Sequence, residues 1–317
     1  MYTRRTSDLI IAADEEIYFD LPMLWFFFAL GGALSQAVYA GMVKSLLQER
    51  HPYVLAGFSF LSASFFLFAS TMIIGPPPLG PDLFPAVFGT VLINIIATIL
   101  LYQALTTSDL SLCIPMLAFT PVFLLATSFV ILGELPTLLG ACGMLLVATG
   151  AYLLHLDTGA GRIATLMTPF LRLSRDRGIQ SMLVVAFLFS ISVNFDKKVV
   201  ENSDPFFGSM IVFFLLATAF LFLATVRHTG HIRTNQEVRI RPLMAYLAVG
   251  VVLACEIIMI NLAYTLNIVP YVISIKRLAI IFSVFFGILL FQERFGWGRI
   301  IGAAIMVIGA GTIAIYG

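Results

Sequence analysis

Three charges sit deep in apolar sequence: Glu256 within LACEIIMIN, and Lys276 with Arg277 within YVISIKRLAI. An ionisable group removed from water costs at least a few kcal/mol unless it is paired or hydrated, so such residues mark either a functional site or a structural ion pair. A Lys–Arg pair supplies charge-assisted hydrogen bonds of the kind that clamp a carboxylate or a phosphate. A carboxylate at the same depth can neutralise those cations or exchange a proton. The competing readings are a guanidinium of Arg277 that snorkels to the surface and a Glu256 ion pair that only holds helices together. Counting residues from the break LNIVP puts all three at one level. Glu256 lies eleven residues before Asn267, with Lys276 and Arg277 nine and ten after it, roughly 16, 14 and 15 Å along two antiparallel helices. Glu256 is therefore expected to face Lys276 or Arg277.

A second group of candidates is less sharply defined. Asn194, Asp196 and Lys197 fall with Lys198 in the run NFDKK, which reads either as a solvated helix end or as part of the same polar interior. Gln36, Tyr39, Asn94, Tyr102, Gln103 and Asn261 are isolated polar residues in apolar stretches. They can line a wet cavity, or bond between helices for roughly 1 kcal/mol each. Glu134 in GELP and Glu293 in FQER read as structural, capping the next helix or pairing with basic residues.

Enzymatic chemistry finds little support. His51, His155, His228 and His231 lie in or beside loops, and no two have the helical spacing of a zinc site. No glycine-rich loop leads into Lys-Ser or Lys-Thr, so no nucleotide-phosphate cradle is expected. Cys113, Cys142 and Cys255 fall inside apolar runs and read as small core residues, not as a disulfide framework or a metal site. No cofactor is expected.

The elements that must position these residues follow from composition. The chain is 60% hydrophobic and 11% charged, with a mean hydropathy of +1.01, whereas a soluble domain is roughly a quarter charged. The net charge of +1 gives no basic field for nucleic acid. Ten stretches are long and apolar enough to cross a bilayer, which takes roughly twenty residues. They run Pro22 to Val43, Tyr53 to Ile74, Phe84 to Leu105, Ser111 to Leu132, Pro136 to His155, Gln180 to Val200, Pro205 to Val226, Leu243 to Thr265, Val269 to Phe291 and Trp297 to Tyr316. The breaks carry turn chemistry, such as GPPPLGP from Gly75 to Pro81. The predicted fold is an all-α polytopic membrane protein. A polar segment 1–21, with acidic residues unlike a cleaved signal peptide, precedes a first unit 22–155, a linker 156–179 and a second unit 180–317.

Those two units repeat each other. At an offset of 159, Ala104 meets Ala263, Phe123 meets Phe282, Glu134 meets Glu293, Gly143 meets Gly302 and Gly150 meets Gly309. Earlier in each half the offset is 153, matching Lys44 to Lys197 and Pro52 to Pro205, and the longer 227–241 loop of the second half absorbs the difference. Five helices per half is an odd number, so the second half enters the membrane from the opposite side and the repeat is inverted. Inverted repeats are a common plan for secondary transporters, with the solute site between the halves.

Lys44 and Lys197 closing the first helix of each half, Lys276-Arg277-Leu278 within the ninth, the acidic Glu134 and Glu293, and the glycine-bearing fifth helices together resemble the drug/metabolite transporter superfamily, in particular its EamA-type members. The resemblance implies a secondary transporter that moves a small metabolite, amino-acid-like or another small organic solute, by alternating access. It would lie in a lipid bilayer, the plasma membrane by expectation, as a monomer or homodimer. Two other classes are a membrane enzyme or lipid-handling protein using Glu256 or Asp196, and a receptor or scaffold that transports nothing. The first half has Leu117 and Ala118 where the second has Lys276 and Arg277, so the site is expected to be asymmetric. Twelve of the eighteen Lys and Arg fall in or beside the loops after the odd-numbered helices. The positive-inside rule places those loops in the cytoplasm and both termini outside, against the usual expectation for relatives.

Overall fold

The computed structural model describes residues 23–46, 52–108, 110–155, 163–227, 240–291 and 297–317. The N-terminal segment 1–21, Glu293, His51, His228 and His231 lie outside the described residues. The helices are α1 (Leu24–Leu46), α2 (Pro52–Ile74), α3 (Leu83–Thr107), α4 (Leu110–Cys113), α5 (Thr120–Leu132), α6 (Leu138–His155), α7 (Ile163–Arg172), α8 (Arg177–Glu201), α9 (Phe207–Arg227), α10 (Ile240–Leu266), α11 (Val269–Lys276), α12 (Ala279–Phe291) and α13 (Trp297–Tyr316). There is no strand among the described residues. Among the described residues, nine membrane-length spans and the shorter apolar helix α6 make up ten crossings.

These segments are helices because in lipid each must satisfy its own backbone polar groups. Their surfaces are apolar outward: Phe65, Ile73, Phe88, Val130 and Phe222 are exposed, while Ala29, Ala33, Ser59, Thr90, Ser128 and Ser190 are buried. Small and hydroxylated residues let the helix backbones approach and bond across the interface. The left-handed Gly133 ends α5, its N–H returning to the Phe129 carbonyl at 3.0 Å. Glu134 leaves the helix directly after it. Asp176 caps α8, its Oδ1 accepting from the N–H groups of Gly178 and Ile179.

The packing follows a two-fold exchange of repeats. The third helix of the first half, α3, packs on the first of the second, α8, and reciprocally α1 packs on α10. The fourth crossing packs on α8 just as the ninth packs on α1, while α2 pairs with α9 and α6 with α13. Equivalent helices run antiparallel. A Cβ placed on Gly143 would meet the Gly309 carbonyl at 2.8 Å and one on Gly150 the Gly302 carbonyl at 2.5 Å. The offset of 159 had matched Gly143 to Gly302 and Gly150 to Gly309. The Gly143–Gly309 contact thus maps onto the Gly302–Gly150 contact, as a two-fold interface requires. The two repeats are inverted.

The fourth and ninth crossings are both broken. In the fourth, a 3-10 segment Ile114–Phe119 separates α4 from α5, with Pro115 at its start and Pro121 opening α5. In the ninth, α11 ends at Lys276 and α12 begins at Ala279. Arg277 corresponds to Ala118 in the repeat, so the breaks share a register. Prolines, which lack the helical N–H, account for the first. No proline or glycine stands at the second, where Lys276 and Arg277 mark the interruption.

Candidate translocation site

The hairpin of α10 and α11 brings Glu256 and Lys276 together: Lys276 Nζ stands 2.8 Å from Glu256 Oε1, with Glu256 nearly sealed from solvent at 5% side-chain exposure. The agreement with residue counting is physical, because both helices start from one turn and climb equal distances. Arg277 lies beside this pair at the helix break. Its Nε is buried without a hydrogen-bond partner among the described residues. A buried guanidinium nitrogen lacking an acceptor is uncommon in a finished interior, so the break presents an unsatisfied cationic donor next to a paired one.

Asp196 reaches the same interior from α8. The Thr90 hydroxyl donates to its Oδ1 at 2.6 Å, and Thr90 and Ser192 hydroxyls stand 2.9 Å apart. Asn94 Nδ2 donates to Ser192 Oγ at 2.6 Å and to the Thr90 carbonyl at 2.9 Å. The seam of α3 and α8 is thus hydrogen-bonded through its middle. Tyr264 is buried within electrostatic reach of Asp196, Glu134 and Glu256, and Tyr39 within reach of Glu256 and Tyr102.

Lys197 and Glu134 form a second ion pair at 2.5 Å, joining the two repeats. Lys197 Nζ also donates to the Asn267 carbonyl at 3.2 Å. Glu134 Oε2 accepts from the Val269 N–H at 2.8 Å, so Glu134 does cap a helix. That helix is α11 in the opposite repeat, not the following α6 as sequence order implied. A carboxylate at a helix N-terminus answers both its free N–H groups and its dipole. The broken ninth crossing is therefore held at its start by the first half and at its break by Glu256.

The remaining candidates divide. Asn194 is fully buried and bonds α8 to α5: Ser128 donates to its Oδ1 at 2.7 Å, and its Nδ2 reaches the Thr127 hydroxyl at 3.3 Å. Asn261 Nδ2 donates to the Pro205 carbonyl at 2.6 Å and to Ser209 at 2.8 Å. Both are satisfied by neighbouring helices. Tyr102 packs edge-on against Tyr53 at 5.3 Å, Gln36 is half-buried on α1, and Gln103 is exposed near the end of α3. Thr90, Ser192 and Tyr264 were not anticipated. Tyr264 had a signal, lying eight residues after Glu256 and so on the same helical face. Thr90 and Ser192 had one too, each lying four residues before a candidate, Asn94 and Asp196, on the same helical face.

Ten crossings in two inverted repeats, with broken fourth helices and a charged interior, define an integral membrane protein on a transporter plan. The EamA-like transporter family model matches twice, over residues 23–156 and 176–315, and the chain belongs to that family. A solved crystal structure with 13% sequence identity superposes at a TM-score of 0.74, covering 92% of this chain and 99% of that one. Identity that low speaks to the fold alone. No curated protein sequence matches.

Proposed function

We propose that this chain is a secondary transporter for a small organic solute bearing a carboxylate or phosphate, working by alternating access between its two repeats. The observation that carries the reading is the broken ninth crossing, where Lys276 is held by Glu256 and the neighbouring Arg277 Nε has no acceptor among the described residues. An anionic group entering there would supply that acceptor and compete with Glu256 for Lys276. Displaced Glu256 would then be an unpaired carboxylate in a low-dielectric interior, a costly state that a proton relieves. Solute entry and proton uptake are linked in this scheme. Lys197–Glu134 serves as a latch between the repeats on the face where α11 begins.

Counterflow in proteoliposomes tests this. The purified chain, preloaded in turn with amino acids, organic anions and organic cations, is expected to accumulate labelled solute from the anionic set or from amino acids through their carboxylate. Accumulation of cations alone would sink the anion clamp, and no counterflow with any member of a broad panel would count against transport itself.

A further inference from the structure

The linker between the repeats builds a second basic site, which shares no lining residue with the Glu256–Lys276 cluster. A cavity of about 460 Å³ is lined by Thr107, Arg172, Arg175, Asp176 and Arg177. It lies where α3 ends, α7 ends and α8 begins. Arg175 N–H returns to the Arg172 carbonyl at 2.9 Å, as does the Asp176 N–H at 2.9 Å, so one tight turn fixes the arginines around the opening. Asp176 offsets only one of the three arginine charges. Its Oδ1 accepts from the Ser108 hydroxyl and from the Gly178 and Ile179 N–H groups, and the Ser108 bond, foremost, holds the carboxyl below its usual range. Three guanidiniums against one engaged carboxylate leave a net charge of +2 (3 − 1).

We propose that this pocket holds the phosphate headgroup of an anionic phospholipid. Three features of the site point to a lipid. First, α7 lies against the bundle: Phe170 packs on Phe119 at 5.8 Å and on Tyr152 at 5.7 Å, while the adjacent Leu171 is 74% exposed and offers apolar surface to an acyl chain beside the arginines. Second, the site is on the side bearing twelve of the eighteen Lys and Arg, the side that positive-inside bias assigns to the cytoplasm and to the anionic leaflet. Third, arginine forks bind phosphate oxygens in pairs, which a lysine cluster does not. A bound headgroup would tie the crossover between repeats to the membrane surface.

The test uses the full chain in neutral detergent, stripped of lipid, with thermal midpoint and native mass spectrometry as readouts, so it is independent of any solute. Short-chain phosphatidylglycerol is expected to raise the midpoint of the wild type and remain bound, whereas phosphatidylcholine should do neither. The variant R172Q/R175Q/R177Q should keep the wild-type midpoint in phosphatidylcholine but bind phosphatidylglycerol roughly a hundredfold more weakly. If the triple variant folds poorly, Arg175→Gln alone should give a smaller loss in the same direction. Equal stabilisation of the wild type by both lipids, or unchanged phosphatidylglycerol binding by a folded variant, would overturn the proposal. So would inorganic phosphate reproducing the whole shift, which would make this a site for a soluble anion.

Discussion

Two of the contacts that join the repeats differ in kind. Where α6 meets α13, Gly143, Gly150, Gly302 and Gly309 bring the backbones together with no room for a Cβ, and each half contributes the same residues. Where α5, α8 and α11 meet, the halves are joined by Lys197, Glu134 and the Val269 N–H. The glycine contact has one close-packed arrangement and loses its dispersion energy if the helices separate. The charged contact can exchange partners, with water, solute or proton replacing what it gives up. Under the proposed alternating access, the glycine contact is the pivot and the charged contact the seam that opens. The charges of the broken crossings are also unequal: Lys276 and Arg277 mark the second break, Leu117 and Ala118 the first. Inverted symmetry of the backbone thus carries an asymmetric distribution of charge.

The sharpest way to break this contrast is to empty the charged side. Lys276→Met and Arg277→Ala are each expected to lower affinity for anionic solute by about 2–5 kcal/mol, roughly thirtyfold to several thousandfold, measured by concentration-dependent counterflow. Glu256→Gln should retain binding while flattening the pH dependence of uptake. If the charge-free double variant Glu256→Gln with Lys276→Met transports at the wild-type rate, the pair only holds helices together and the contrast fails.

Next comes the latch. Lys197→Met leaves Glu134 buried beside the α11 terminus without its cation, a loss of about 3–5 kcal/mol. Adding Glu134→Gln keeps an acceptor for the Val269 N–H and should restore most of it. Midpoints from detergent melting curves give the comparison, and a double variant as unstable as the single would show that the pair is not the source of the effect. At the pivot, Gly150→Ala or Gly302→Ala should cost about 1–3 kcal/mol through overpacking and lower transport only as far as folded protein is lost. A folded Gly302→Ala protein with abolished counterflow would show instead that this contact moves.

The smallest effect is expected at the α8 cap. Asp176→Asn or Ser108→Ala should remove about 1 kcal/mol or less at neutral pH. Because the Asp176 carboxyl is held below its usual value in the fold, its contribution is fully present above the unfolded carboxylate range and is lost as pH falls through the folded value. The difference between wild type and Asp176→Asn should therefore shrink in acid. A difference that grows on acidification would contradict the cap.

The amino-acid sequence determined much of this protein without any structure. Apolar length fixed the ten crossings, because lipid leaves a backbone little choice except helix. Recurrence of glycines and glutamates at one offset revealed the repeat, and an odd helix count made it inverted. Even the Glu256–Lys276 contact followed from counting, since residues equally far from one turn reach one depth. What crosses between the halves was not legible. Glu134 precedes α6 in sequence yet caps α11, Asn194 is bonded by Ser128 and Thr127 of the other half, and Thr90 meets Asp196 and Ser192 only because α3 packs on α8. The break at Arg277 likewise has no proline or glycine to announce it. Contacts inside a hairpin are set by the rise per residue, a property of the chain itself. Contacts between repeats are set by which helix faces pack together, and only the tertiary structure decides that.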